Sequence, residues 1–524
     1  MRLGTGRGSP AGPGAAAESA GVQRAPFPPP HRDVPFAFLA ILAGVLARLL
    51  IMAIGQGTLI DDAYITLRYG RNLMEGDGLV YNVGERVLGT QPLYALWTGV
   101  LWKLSQVFLG GRGVEVLVTL GNVAFFAAAA ALVARWIKIQ SRLFVHVPLV
   151  VLCSYVPFLD NTTTGMETSL FLFLIAASLD ALHRDRRLTL SILLGLCALT
   201  RPEGNLWALA VILYALRRRR PDARLVLPFL LVVIAWGVFA WQYYGTPLPL
   251  SARAKSGWFN GIYANEGFFV QTLDVLASFT LGPWPDWQHW RAPEGAAALA
   301  MIALLVLFGK GALVLLRTRD PNFLWSLFFL SCVVFFVAGR GATWPSWYAI
   351  PPGLGFVITL CHGADAWIRP RLPDHGWSQK RVKVVLGALA FAFLVISILI
   401  WNRVRLPYYL NIEESYVRTG KTLAGASDPG DRLFVVEIGC IGYYADRYVY
   451  DLGGLISPEI QAMRRIDWGL GEAPALVQRY RPEWVVVNDI HLLKILASEP
   501  EGWFEREYRL DFRTYLHFVY RRVS

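Results

Sequence analysis

Twelve apolar runs, at about 36–54, 92–109, 113–134, 143–159, 166–182, 188–200, 204–216, 224–242, 297–316, 322–338, 350–368 and 384–401, dominate the chain up to Trp401. Most approach the ~20 residues that a helix needs to cross the hydrocarbon of a bilayer. The runs 188–200 and 204–216 are short and read as a bent pair meeting at Arg201-Pro202-Glu203-Gly204. After Trp401 the pattern changes to short β-rich runs at 432–438, 448–450, 483–487 and 515–520, with a helical stretch at 412–423. The pattern predicts an α-helical polytopic membrane protein at 34–401, with a first loop at 55–90, followed by a soluble α/β domain at 402–524. Residues 1–33, rich in Gly, Ala and Pro, have no core to bury and are expected to form a disordered tail.

Charge orients these segments. Basic clusters at Arg135/Lys138/Arg142, Arg184/Arg186/Arg187, Arg217 to Arg220, Arg317/Arg319 and Arg369 to Lys383 mark cytoplasmic loops. If 55–90 lies outside and 135–142 inside, the chain between them crosses an odd number of times, so either 92–109 or 113–134 does not span. About eleven crossings then place the N-terminus in the cytoplasm and both the 55–90 loop and the C-terminal domain outside a plasma (inner) membrane.

Composition agrees: 55% of residues are hydrophobic, 17% are charged, and mean hydropathy is +0.41. The last 123 residues carry 16 Lys and Arg against 17 Asp and Glu, so the net +12 belongs to the apolar part and follows its loops. That distribution is no nucleic-acid footprint. Of five cysteines, Cys153, Cys197, Cys332 and Cys361 lie within or at the ends of apolar runs, and only Cys440 in the tail. They suggest neither a disulfide framework nor a metal set.

The densest chemistry follows the first apolar run. Asp61-Asp62-Ala63-Tyr64-Ile65-Thr66-Leu67-Arg68-Tyr69-Gly70-Arg71 precedes Gly76-Asp77-Gly78-Leu79-Val80-Tyr81-Asn82-Val83-Gly84-Glu85-Arg86. With Asp61 capping a surface helix, Tyr64, Arg68 and Arg71 share a face and Asp62 sits at the helix mouth. Such a carboxylate pair can act as general base toward a sugar hydroxyl or hold a divalent cation (Mg, Mn or Ca), and the guanidiniums can bind phosphate. A helix cap with surface ion pairs is the plainer alternative.

Further candidates are Glu167, entering a helix after Asn161-Thr162-Thr163-Thr164-Gly165-Met166, and the Arg201/Glu203 pair at the helix break. Arg253 and Lys255 follow Gly245-Thr246-Pro247-Leu248-Pro249 as a clamp for a lipid phosphate, and Trp347 and Tyr348 offer stacking surface for a sugar. The same residues have ordinary roles as caps, snorkelling cations and interfacial aromatics. Eight histidines show no HExxH or paired metal spacing, and Gly4-Thr5-Gly6-Arg7-Gly8 follows no strand. Gly439-Cys440-Ile441-Gly442-Tyr443-Tyr444 reads as a tight strand-to-helix turn.

In this order the motifs resemble the GT-C glycosyltransferases that take sugars from polyprenyl-phosphate carriers, and within them the mycobacterial terminal arabinofuranosyltransferases. The resemblance rests on Asp61-Asp62-Ala63-Tyr64-Ile65-Thr66 with Arg68-Tyr69, Gly78-Leu79-Val80-Tyr81-Asn82 with Gly84-Glu85, Gly165-Met166-Glu167-Thr168 and Thr200-Arg201-Pro202-Glu203-Gly204. Gly245-Thr246-Pro247-Leu248-Pro249 with Ala254-Lys255, and Asp451-Leu452-Gly453-Gly454-Leu455, extend it along nearly the whole chain. It departs at Gly89-Thr90-Gln91-Pro92, where a more aromatic or Asn-containing stretch is expected.

The resemblance implies a GT-C membrane domain whose first outer loop carries the catalytic Asp, capped from outside by the α/β domain. Asp61 and Asp62 become the base or cation-holding pair. Arg68, Arg71, Arg201, Arg253 and Lys255 become donor-phosphate ligands, and Tyr64, Glu167, Glu203, Trp347 and Tyr348 substrate ligands. Expected partners are membrane lipids, a polyprenyl-phosphate-linked sugar and a glycan or glycolipid acceptor. The rivals are a lipid or polysaccharide transporter, which should show repeat symmetry, and an assembly partner, which needs no carboxylate pair.

Overall fold

The computed structural model describes residues 34–55, 59–111, 113–137, 146–218, 222–254, 268–280, 294–339, 346–368, 370, 379–463, 473–497 and 502–523. The tail at 1–33 and Lys255 lie outside them.

Helices α1 (Val34–Ile54), α2 (Asp61–Glu75), α3 (Pro92–Leu109) and α4 (Val114–Trp136) open the chain. Five helical stretches among the described residues are long and apolar enough to cross a membrane: Phe36–Ile54, Val114–Trp136, Ala223–Tyr244, Met301–Thr318 and Phe391–Ala426. Shorter apolar helices at Thr168–His183, Arg187–Thr200 and Phe323–Ala338 pack among them. The chain is a helical membrane protein with a C-terminal domain. Its outward face shows why: Leu227, Leu231, Ile234, Val238 and Trp241 follow one stripe of Ala223–Tyr244 and are exposed, an arrangement favourable only in a non-aqueous solvent. Inside, Trp207, Trp325 and Phe328 form an aromatic centre with ring spacings of 5.5 Å.

Three segments bear on the sequence expectation. The run at 143–159 is not one helix: it breaks into α5 (Val147–Ser154) and α6 (Val156–Asn161), with the extended Tyr155 as the N-cap residue of α6 and Pro157 in its first turn. Of the two runs that conflicted in parity, only Val114–Trp136 qualifies by length and apolarity, while α3 lies on α2. There Gly70 and Gly99 meet backbone to backbone, where a β-carbon on Gly70 would stand 2.5 Å from the Gly99 nitrogen.

Thirdly, the chain does not break at Trp401. The apolar helix runs on through π-helical turns at Trp401–Arg405 and Tyr409–Glu413 into Glu414–Ala426. Trp401, Arg405 and Tyr409 thereby reach one buried carboxylate: Asp160 accepts from Trp401 Nε1 at 3.0 Å, Arg405 Nε at 2.9 Å and Tyr409 OH at 3.3 Å. The bent pair expected at Arg201 is present, with α7 (Thr168–His183) beside α8 (Arg187–Thr200) and α9 (Glu203–Arg218). Arg201 between α8 and α9 is extended, at φ −154° and ψ 147°.

The C-terminal domain is a five-stranded sheet with helices on its faces. Its strands β1 (Arg432–Val435), β2 (Tyr448–Asp451), β3 (Trp484–Val487), β4 (Tyr508–Arg513) and β5 (Phe518–Arg522) lie in the order β2-β1-β3-β5-β4. The first three are parallel and the last two antiparallel. Alternation sorts the faces. Leu433, Val435, Val449, Trp484 and Val486 pack with Ile65, Tyr69 and Tyr81 of the first loop. Phe434, Val485 and Val487 pack with Leu476, Ile495 and Phe504 on the far side.

Candidate active site at the junction of the two domains

Helix α2 is clasped between the bundle and the C-terminal domain, so it is no surface helix: every residue from Ala63 to Asn72 is buried. Asp61 does not cap α2, whose N-cap position is Ile60. Its carboxylate instead caps the neighbouring helix Ile438–Ala445, accepting from Cys440 N at 2.6 Å and Gly439 N at 3.1 Å. Gly439 is a glycine because a β-carbon there would fall inside the Asp61 carbonyl oxygen. Residues 439–444, read from the sequence as a strand-to-helix turn, lie within the helix itself; the turn is Val436-Glu437, and the helix is a docking face.

Withdrawal from water raises the Asp61 carboxyl to about 7; the Cys440 bond pulls it back, and the charges of Asp62 and Glu437 push it up. Asp62 is half-buried beside it.

Arg68 and Arg71 were expected at a phosphate, and the structure places them elsewhere. Arg68 donates to the carbonyls of Gly442 and Arg447, each at 2.7 Å, and its guanidinium lies 4.2 Å from the Tyr81 ring centre. Arg71 donates to Tyr443 O at 3.2 Å and pairs with Asp446. Both are buried and occupied in fastening the C-terminal domain to α2. Asn82 adds a strand-like pair of bonds with Val449, at 3.0 and 3.1 Å, and Tyr81 OH donates to Ile438 O at 2.6 Å.

A second cluster unites residues from three other segments. Arg201 lies 3.5 Å from Glu167 and 3.2 Å from Glu203, donates to Trp347 O at 3.0 Å, and stands 4.7 Å from the Tyr348 ring centre. The three charged side chains are at most 5% exposed. Arg201 is therefore engaged by two carboxylates within the protein.

The two clusters adjoin. Ile60 N donates to Thr164 O at 3.1 Å, and Gly165, at φ +88°, packs on Leu59 and Ala63. Tyr94 and Asn122 hold this turn through Gly165 O at 2.8 Å and Met166 O at 3.1 Å. The helical segment carrying Arg253, residues 250–254, is tied to the first loop by Leu250 N donating to Leu88 O at 2.7 Å, and Arg253 is exposed.

A divalent cation on the Asp61/Asp62 pair does not fit. Both Asp61 oxygens face N–H groups, whose positive ends a cation would meet, and among the described residues no three His, Cys, Asp or Glu side chains are placed to hold a metal.

Residues 408–521 match a family described as a domain of unknown function (DUF8728). The sequence is 30% identical over 252 residues to a terminal β-(1→2)-arabinofuranosyltransferase of Mycobacterium tuberculosis, covering 42% of this chain and 40% of the relative. It is 28% identical over 310 residues to the protein of the same name in Corynebacterium glutamicum, covering 47% of this chain and 42% of the relative. The chain thus spans about two fifths of the length of these relatives.

In structure it is similar to ArnT from Cupriavidus metallidurans bound to undecaprenyl phosphate, with a TM-score of 0.52 at 14% identity, over 94% of this chain and 98% of that one. The oligosaccharyltransferase of Archaeoglobus fulgidus in complex with Zn and sulfate gives 0.51 at 11% identity, over 93% and 73%. The chain has a GT-C fold. The resemblance to terminal arabinofuranosyltransferases read from the motifs is borne out.

Among the described residues, sequence reasoning missed several buried charges, Arg48 and Asp160 among them. Arg48 of α1 is fully buried, donating to Thr162 Oγ1 at 2.7 Å and to the carbonyls of Gly44, Cys153, Leu152 and Phe158. A lone arginine inside an apolar run was the available signal. Asp160, one residue before the Asn161 motif, carried no signal, because its partners stand more than 240 positions away.

Proposed function

We propose that this chain is a glycosyltransferase that moves a sugar, with arabinofuranose the first candidate, from a polyprenyl-phosphate carrier to a glycan or glycolipid acceptor on the outer face of the membrane. The observation that carries this reading is the meeting of the Asp61–Asp62 turn with the Glu167–Arg201–Glu203 cluster, at the junction of apolar bundle and C-terminal domain, in a chain similar to arabinofuranosyltransferases. ArnT, of the same fold, has been solved with undecaprenyl phosphate.

The geometry supports a division of roles. Asp61, whose oxygens accept from Gly439 and Cys440, positions the loop, and Asp62, half-buried beside it, is assigned as the base that takes the proton of the acceptor hydroxyl. As that oxygen attacks C1, the bond from C1 to the phosphate oxygen breaks through an oxocarbenium-like state, and the phosphate keeps the electron pair. Arg253, exposed on the helical segment bound to Leu88, with Lys255 two residues on, supplies cations for that phosphate. Glu167 and Glu203, buried with Arg201, support the half-buried Trp347 and Tyr348, whose rings suit sugar ring faces.

The test is transfer of a labelled sugar from a panel of synthetic polyprenyl-phosphate donors by the purified full chain. Asp62→Asn is expected to lower kcat about 10²–10⁴-fold, and Arg253→Ala to raise the KM for donor. Absence of transfer from every donor, or full activity in Asp62→Asn, overturns the reading.

A further inference from the structure

A groove of about 580 Å³ opens beside the Asp61 cluster, between α2, the start of α4 and the helix Glu414–Ala426. Tyr64, Glu115, Glu414, Arg418, Lys421 and Tyr444 line it. Its size lies within the ~300–1,000 Å³ usual for small-molecule sites.

Its charge selects the ligand. Two carboxylates face two cations, and the cations are engaged: Arg418 pairs with Glu414 at 3.3 Å, and the Lys421 ammonium stands 4.9 Å from the Tyr444 ring centre. A phosphate would find no surplus positive charge, and a lipid tail would have to desolvate four charged groups. A neutral, hydroxyl-rich ligand suits both surfaces, since carboxylates accept from its hydroxyls and tyrosine rings cover its C–H faces. Glu115 already accepts one such hydroxyl, from Tyr444, whose oxygen is 3.4 Å from that of Tyr64.

Position then gives the groove a part in the reaction. Helices α2 and Ile438–Ala445 touch first at Asp61–Cys440 and again at Tyr64–Tyr444, three and four residues further on. The groove floor therefore begins about one helical turn, ~5 Å, from the Asp61 carboxylate. That is within reach of adjoining sugar units.

We propose that this groove binds a neutral glycan segment of the acceptor. The proposal rests on the glycosyltransferase reading above and deepens it. The experiment measures binding of neutral arabino-, manno- and gluco-oligosaccharides, and separately of undecaprenyl phosphate, to the full chain in nanodiscs. The wild type, Thr422→Trp and Glu115→Gln are compared. Thr422 lines the groove from an exposed helix face, so its replacement by Trp fills the space without touching the domain contacts. Glycan binding by the wild type, weakened at least tenfold in Thr422→Trp with undecaprenyl phosphate binding unchanged, supports the groove.

Three results overturn it: no oligosaccharide bound by the wild type, equal binding by Thr422→Trp, or loss of the lipid phosphate instead of the glycan. Glycan binding that depends on Thr422 in a protein that transfers no sugar would keep the groove and remove the transferase reading. Transfer with an acceptor KM unchanged in Thr422→Trp would do the reverse.

Discussion

Replacing Arg201 by Met keeps most of the side chain's length and removes the guanidinium that Glu167 and Glu203 share. The guanidinium contacts both carboxylates within 3.5 Å and the Trp347 carbonyl at 3.0 Å, with 1% of its side chain exposed. Removing one partner from such a buried set costs about 3–5 kcal/mol, because the carboxylates keep their desolvation penalty while losing this ion pair. Pairing the change with Glu203→Gln removes one of these charges, so the double variant should recover at least about 1–2 kcal/mol of that loss.

The five cysteines are all free and buried, so a thiol-reactive fluorogenic dye reports unfolding of each variant directly. Transfer kinetics then separate the roles. If Arg201 only positions the two glutamates, activity returns with stability in the double variant. If it binds the leaving phosphate, stability returns while the donor KM stays raised. An Arg201→Met protein within about 1 kcal/mol of wild type would refute the buried-cluster argument altogether.

Other consequences are checked more simply. Gly439→Ala should force the C-terminal domain away from Asp61 and speed proteolysis of the 427–431 turn at least tenfold; an unchanged rate contradicts the close docking. Asp61 has a folded-state carboxyl raised from 3.8 to about 7, so the folded protein binds the extra proton. Its contribution to stability is full below about pH 4 and lost as pH rises through 7. Tryptophan-fluorescence melts should show that decline between about pH 4 and 7 in the wild type and a flatter profile in Asp61→Asn. Asp160→Asn leaves Arg405 without its counter-charge and should destabilise by about 2–3 kcal/mol, a loss that Arg405→Met in the same chain partly reverses.

The apolar runs, the basic loops and the change of pattern near Trp401 made the membrane-embedded bundle and a distinct C-terminal region legible, because burial in lipid or water is written residue by residue in side-chain polarity. Local exceptions could be read in the same way, such as the break at Arg201-Pro202 and the glycine turn before Glu167. Run 143–159 was misread because uniform apolarity conceals whether Tyr155 continues a helix or interrupts one.

Partnership is decided in three dimensions. Arg68 and Arg71 look like phosphate ligands along the chain, yet among their acceptors are carbonyls and a carboxylate more than 370 positions away. Asp61 reads as a cap for its own helix and caps another. A sequence specifies what a charge is and how costly it is to bury. Only the fold specifies which distant backbone is brought within hydrogen-bonding distance to satisfy it.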